Sequence, residues 1–212
     1  MRNIWKIIAI LIFILFLLLF RFAPEIGIDV APDERFEVVG IIDGDTFELA
    51  GGEKLRLLSI DCPEKGDPYS TEASALAEKL VLGKTALVAY SIRRRDGYGR
   101  MLGYLYVDSQ SVNVALVRNG LAYVFLFEDN LADTARITEL LAAQNEAIDN
   151  RLGLWSQKDI DEPYYLAGGE AFRFHRPGCS SVSKLSPREC IRFESRLEAF
   201  RNGYSPCRHC RP

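Results

Sequence analysis

The chain has 212 residues, 48% of them hydrophobic, with 26 Lys and Arg against 29 Asp and Glu for a net charge of −3. That apolar share excludes a disordered chain, and the length allows one full domain with a small second one. The charge is unevenly spread: residues 33–162 hold 14 basic and 23 acidic side chains, while residues 163–212 hold nine basic and four acidic ones. A basic tail on an acidic body suits a polyanionic partner. A solvated surface would have the same composition.

Residues 7–20 are fourteen apolar residues without a break, preceded by Arg2 and Lys6 and followed by Arg21. Extended over 4–23, the run reaches the ~20 residues that a helix needs to cross a bilayer. It is apolar on every face, which does not suit a surface helix of a soluble domain. Arg21-Phe22-Ala23-Pro24 is a poor cleavage site, so 1–23 is expected to be an uncleaved transmembrane anchor rather than a signal peptide. Basic residues before the run place its start in the cytoplasm and the rest outside. A secreted form, after signal-peptide cleavage, is the alternative.

Residues 24–35, with Pro24, Gly27 and Pro32, read as a linker. Strands are expected at 37–42, 46–49 and 54–60, the last two joined by Gly51-Gly52 as a hairpin. The periodicity of Ala73, Leu76, Ala77 and Leu80 predicts a helix over 71–82, stopped by Gly83. Strands at 84–93 and 101–107 flank a polar turn, 95–100. A short helix follows at 112–118, and a longer one at 133–150 carries the stripe Ile137, Leu140, Leu141 and Ile148. The fold class is therefore α+β: a five-stranded barrel with packed helices. From about 162 the apolar periodicity fades and Pro, Gly, Arg, Ser and Cys dominate. A segment of that kind needs a metal or disulfide staple.

Asp43-Gly44-Asp45-Thr46 reads most simply as a turn. Arg56, Asp61, Glu64 and Arg100 lie at the margins of other expected strands, where a barrel can gather them. Carboxylates and backbone carbonyls make a hard-oxygen site suited to Ca²⁺. A further glutamate can take a proton from water. Two arginines can grip a phosphate and stabilise the charge added as it is attacked. Surface ion pairs would use the same residues.

The order and spacing of IDGDT (42–46), RLLSIDCPE (56–64), EAS (72–74), YGR (98–100), VNVALVRNGLA (112–122) and GLW (153–155) resemble the staphylococcal-nuclease (thermonuclease) family over roughly 36–156. The resemblance implies an OB-fold barrel with three helices and a Ca²⁺-dependent nuclease acting on DNA and RNA. By position, it makes Asp45 and Asp61 the calcium-binding carboxylates and gives Cys62 a backbone carbonyl at the metal, where the family usually has threonine. Glu64 becomes the general base, Arg56 and Arg100 the phosphate-binding arginines, and Asp43 a residue supporting the metal ligands. Tyr98 is implied at the substrate. The chain departs from the family at Gly97, in the short 65–68 loop, and at Leu126 and Glu128, which stand where substrate-stacking tyrosines are expected.

In the tail, His175-x3-Cys179 is followed after 27 residues by Cys207-x2-Cys210, a spacing suited to Zn²⁺. Disulfides are the alternative for an exported chain, but five cysteines leave one unpaired and leave the histidine unexplained. Cys190 and His209 are spare candidates. FHRPGCSSV (174–182) and GYSPCRHCRP (203–212), with the phenylalanine- and glutamate-containing stretch at 193–200, resemble the zinc-binding module of the Ada alkylation-repair family. His175 stands at that family's reactive cysteine, so a structural zinc is implied and alkyl transfer is not.

The expected plan is an anchor at 1–23, a linker at 24–35, a nuclease-like barrel at 36–158 and a zinc-stapled module at 163–212. The expected activity is phosphodiester hydrolysis outside the membrane. A noncatalytic reader of nucleic acid or protein, with the tail as a docking domain, is the competing reading.

Overall fold

The computed structural model describes residues 33–157, 162–168, 172–182 and 190–212. The expected anchor over 1–23 and most of the expected linker lie outside the described residues. No helix among the described residues is long and apolar enough to cross a membrane.

The first strand, β1 (Glu34–Asp43), starts inside the stretch expected as linker. Its first half pairs with β5 (Thr85–Ala89) and its second half with β2 (Thr46–Leu49). Register shifts between Val38 and Gly40 and between Ile41 and Asp43 accompany this change of partner, and such bulges bend a strand. β2 continues into β3 (Lys54–Leu57), and β5 pairs with β6 (Met101–Val107). Parallel pairing of β3 with β6 then closes a five-stranded barrel. Phe47, Leu49, Leu55, Val88 and Leu105 fill it and are fully buried.

The strand expected over 54–60 is broken. Ser59 takes a left-handed backbone (φ 61°), and Ile60–Asp61 forms a separate short strand, β4, paired with β8 (Tyr123–Val124). Local pattern could not reveal the break, because distant partners hold it. The Ser59 hydroxyl bonds the Tyr104 hydroxyl at 2.7 Å and accepts from Asn130 at 2.9 Å.

Helix α1 (Ser70–Val81) lays Ala73, Ala77 and Val81 on the barrel. After the short β7 (Gln110–Ser111), α2 (Val112–Arg118) is capped by Ser111, whose side chain accepts from the Val114 amide. Asn113, fully buried on α2, accepts from Leu105 N and donates to the Leu58 carbonyl, so it fixes the helix to β6 and to the broken strand. Helix α3 (Thr134–Asp149) buries Ile137, Leu140, Ala143, Gln144, Ala147 and Ile148. The chain leaving it touches the end of α2 backbone to backbone: a Cβ on Gly120 would lie 2.2 Å from the Leu152 carbonyl oxygen, and one on Gly153 2.3 Å from that of Gly120. Only glycine fits both sides of that contact.

The C-terminal module is a four-stranded sheet in the order β11 (Cys190–Phe193), β9 (Tyr165–Gly168), β10 (Arg173–His175), β12 (Ser205–Pro206), with α4 (Arg196–Arg201) before the last strand. Its core is largely aromatic and is shared with the body: Tyr165, Phe174, Phe193 and Phe200 pack with Ala147, Ile148 and Trp155. Phe200 meets Trp155 edge to face, with ring centroids 4.8 Å apart. Buried Gln144 joins the halves further, accepting from Val124 N at 2.8 Å and donating to the Phe200 carbonyl at 2.6 Å.

Candidate active site

Asp45, from the turn between β1 and β2, and Asp61, from β4, meet on one guanidinium. Arg56, on β3, places Nη1 3.0 Å from Asp45 Oδ2 and Nη2 2.6 Å from Asp61 Oδ1. Nη1 also donates to the carbonyls of Leu57 and Ile60, so the break in the strand is what supplies the arginine with acceptors. The Cys62 amide donates to Asp45 Oδ2 at 2.7 Å, and the Asp45 amide donates to Asp43 Oδ1 at 3.1 Å. Asp43 thus holds the turn that presents Asp45.

Burial dominates the electrostatics here. It pushes the Asp45 carboxyl up to about 7, against the opposing pull of Arg56 and the Cys62 amide, while Asp43 and Asp61 push it further up. Burial also lowers Arg56, but the charges of Asp45 and Asp61 outweigh it and leave the guanidinium more firmly protonated than usual. Two carboxyl groups share one arginine, and such a cluster of hard oxygens fits a divalent cation such as Ca²⁺.

The Cys62 thiol is driven well above its ordinary value, first by burial and then by Asp45. It is therefore protonated and a poor nucleophile. Its sulfur fits against Gly44, where a Cβ would lie 2.9 Å from Sγ and 2.8 Å from the Ala73 methyl. Cys62 packs the turn and gives Asp45 its amide.

Arg100 stands on a cleft of about 680 Å³, which Arg56, Tyr98, Phe125 and Phe127 also line. Asp96 anchors the turn: its Oδ2 accepts from Arg100 Nε at 2.7 Å and its Oδ1 from the amides of Tyr98 and Arg100. Burial raises Asp96, but these donors outweigh it and hold the carboxyl below its ordinary value. Tyr98 is 88% exposed at the rim, with Arg100 5.5 Å from its ring centre. Glu64 is exposed on the wall of an adjoining cleft that also contains Asp61, Cys62 and Tyr123. Arg208 lines both clefts and stands at the boundary between the glutamate and the two arginines.

Several contributors lay outside the sequence reading. Tyr123 donates to Asp61 Oδ2 at 2.9 Å, and Arg208 reaches the same oxygen at 3.4 Å. Leu126 is buried, next to Gly203 of the C-terminal module, while its neighbours Phe125 and Phe127 face the cleft. The aromatic faces are thus offset by one residue from the positions where stacking tyrosines were expected. Asn130 sets this loop, accepting from Phe127 N and donating to Ser59.

In the C-terminal module, His175, Cys179, Cys207 and Cys210 converge, with ligand atoms all within 4.8 Å of one another. Cys190 and His209 are not among them. His175 Nδ1 is buried and has no hydrogen-bond partner among the described residues. Burial, then Arg173, lowers the imidazole below its ordinary value and favours its neutral form. An orphaned neutral nitrogen beside three thiols fits Zn²⁺.

The profile described as "Staphylococcal nuclease homologue" matches residues 54–157. An Escherichia coli O157:H7 protein named "Uncharacterized endonuclease" is 40% identical over 136 residues, which cover 62% of this chain and 84% of the relative. "Endonuclease YncB" of Bacillus subtilis (strain 168) is 38% identical over 127 residues, covering 55% of this chain and 59% of its own. "Micrococcal nuclease" of Shigella flexneri is 30% identical over 144 residues, covering 62% and 79%. With barrel, motifs and relatives in agreement, the chain belongs to the family of staphylococcal nuclease homologues.

Proposed function

We propose that the chain is a Ca²⁺-dependent nuclease that hydrolyses phosphodiester bonds of DNA, RNA or both. The observation that carries this reading is the buried Asp45–Arg56–Asp61 cluster opening beside a cleft lined by Arg100. Asp45 and Asp61, with the carbonyl of Cys62, would hold the metal. Bound there, Ca²⁺ supplies positive charge to the scissile phosphate. Arg56, whose fork now rests on the two carboxylates, would turn it to phosphate oxygens once those carboxylates served a cation. Arg56 and Arg100 then stabilise the charge that builds on phosphorus, and Glu64, in water, accepts the proton of the attacking water. Tyr98 presents a ring and a hydroxyl at the rim to the substrate.

The C-terminal module, 163–212, is proposed to hold a structural Zn²⁺ through His175, Cys179, Cys207 and Cys210, as the resemblance to the Ada module suggests. The barrel domain is taken as 36–158. The fourteen-residue apolar run would tether the protein to the membrane, with the nuclease domain outside the cytoplasm.

Cleavage of single-stranded DNA by the full chain, with Ca²⁺ or with a chelator, tests the nuclease reading alongside Glu64→Gln and Arg56→Ala. Loss of the base is expected to slow cleavage by roughly 10²–10⁴-fold. Equal rates in all four samples would overturn the mechanism. DNA binding without cleavage in any of them would favour the noncatalytic reader.

A further inference from the structure

Two arginines of the C-terminal module point into the barrel's cleft. Arg173 lies on β10, two residues before His175, and Arg208 follows Cys207 directly. The guanidinium carbon of Arg173 is 3.7 Å from the centre of the Phe125 ring and 5.5 Å from that of Phe127. Arg208 approaches Phe125 at 5.7 Å. Phe125 therefore carries two guanidinium groups, and both line the cleft that holds Arg56 and Arg100.

The arginines of this wall are not equally paired. The cleft is lined by five arginines and by the three carboxylates of Asp96, Glu128 and Asp129. Arg93 pairs with Asp129 at 3.1 Å, Arg100 pairs with Asp96, and Arg56 is held by Asp45 and Asp61. Among the described residues, Arg173 bonds only neutral oxygens, those of Leu126, Phe172 and Ser205. Arg208 has a long 3.4 Å contact to an Asp61 oxygen that Tyr123 already holds, and its side chain is 72% exposed. The two least firmly paired arginines of the cleft thus both come from the C-terminal module, on a body that is itself acidic. Phe127, 44% exposed beside them, offers an open ring to a base.

We propose that Arg173 and Arg208, mounted on Phe125, form a second phosphate-binding subsite, which receives the backbone phosphate of a nucleotide next to the bond being cut in a single-stranded nucleic acid. The proposal rests on the nuclease reading for the word "cut". The binding it describes does not need catalysis. The C-terminal module then acts as one wall of the substrate groove and sets how a strand of more than one nucleotide is gripped.

The test measures binding of a fluorescently labelled single-stranded oligonucleotide to the full chain, in detergent and without added Ca²⁺ or chelator, with the strand checked for cleavage, across a salt series. Removing one phosphate-binding cation is expected to lower the slope of log affinity against log salt by about 0.7. Arg208→Ala is expected to weaken binding about tenfold and lower the slope by one such step. Arg208→Lys is expected to restore the slope. Arg173→Gln should lower the slope in the same way. If it fails to fold, exposed Arg208 carries the test alone. Unchanged affinity and slope in Arg208→Ala would overturn the proposal. So would unchanged binding with faster cleavage in Ca²⁺, which would mean that Arg208 only covers Asp61. Absence of cleavage by the unaltered chain in Ca²⁺ would instead count against the nuclease reading and leave the binding result standing.

Discussion

Arg208 and Asp61 are 147 residues apart in the chain and 3.4 Å apart in space. The contact ties β4, beside the barrel, to a loop of the C-terminal module, and the aromatic core behind it ties the rest. The C-terminal module has an aromatic core, and it shares that core with the body.

Truncating Phe200 to alanine tests that shared core. The ring is fully buried against Trp155, Tyr123 and Phe174. A loss of about 3–5 kcal/mol is expected, as for other buried aromatic-to-alanine changes. Urea melts followed by tryptophan fluorescence should show one transition shifted as a whole. An unshifted transition for the barrel would mean that the halves unfold independently.

Asp45 makes a prediction about pH. Its folded value is raised to about 7 from an ordinary 3.8, so between those values the folded chain binds more protons than the unfolded one. The stabilising contribution is full below about 4, falls as pH rises, and is gone above about 7. Asp45→Asn should remove that portion of the slope in metal-free urea melts. In the same window Ca²⁺ must displace the proton, so its affinity should rise with pH by up to about tenfold per unit. Calorimetric titration at pH 5.5 and 7.5 measures this, and equal affinities would remove Asp45 from the metal site.

Gly44 and Cys62 are expected to behave oppositely. Gly44→Ala drives a methyl into Cys62 Sγ and Ala73, at 2.9 and 2.8 Å. A cost of about 1–3 kcal/mol is expected from overpacking, together with reduced cleavage as the Cys62 amide shifts from Asp45. Cys62→Thr should keep cleavage, since the thiol is buried and protonated and only its main chain serves the site. Loss of activity in Cys62→Thr, with a normal melting curve, would return the sulfur to the mechanism.

The proposed zinc site predicts one equivalent of zinc after purification without chelator. Cys207→Ser should lose the metal and destabilise the module, because the site's binding energy is also folding energy. Less than about a quarter equivalent in the unaltered chain would exclude the four-ligand site; native zinc sites keep their metal through purification because apparent binding energies reach about 10–16 kcal/mol.

Local motifs made much of this site legible. Asp45, Arg56 and Asp61 sit in short stretches whose charges have no packing reason, and they converge. The convergence of His175, Cys179, Cys207 and Cys210 was legible from the short spacing within each pair. Phe125, Phe127, Arg173 and Arg208 were not, because an aromatic or an arginine shows its partner only across the fold. The break at Ser59 was hidden for the same reason: Tyr104 and Asn130, which hold it, come 45 and 71 residues later.

The shared cleft also bears on the order in which the molecule is assembled. In chain order, Arg56, Glu64 and Arg100 are made more than a hundred residues before Cys207 and Arg208. The groove gains its last wall only after the C-terminal sheet has formed and docked on Trp155. A barrel that closed first would hold the proposed catalytic side chains before the proposed second subsite was built.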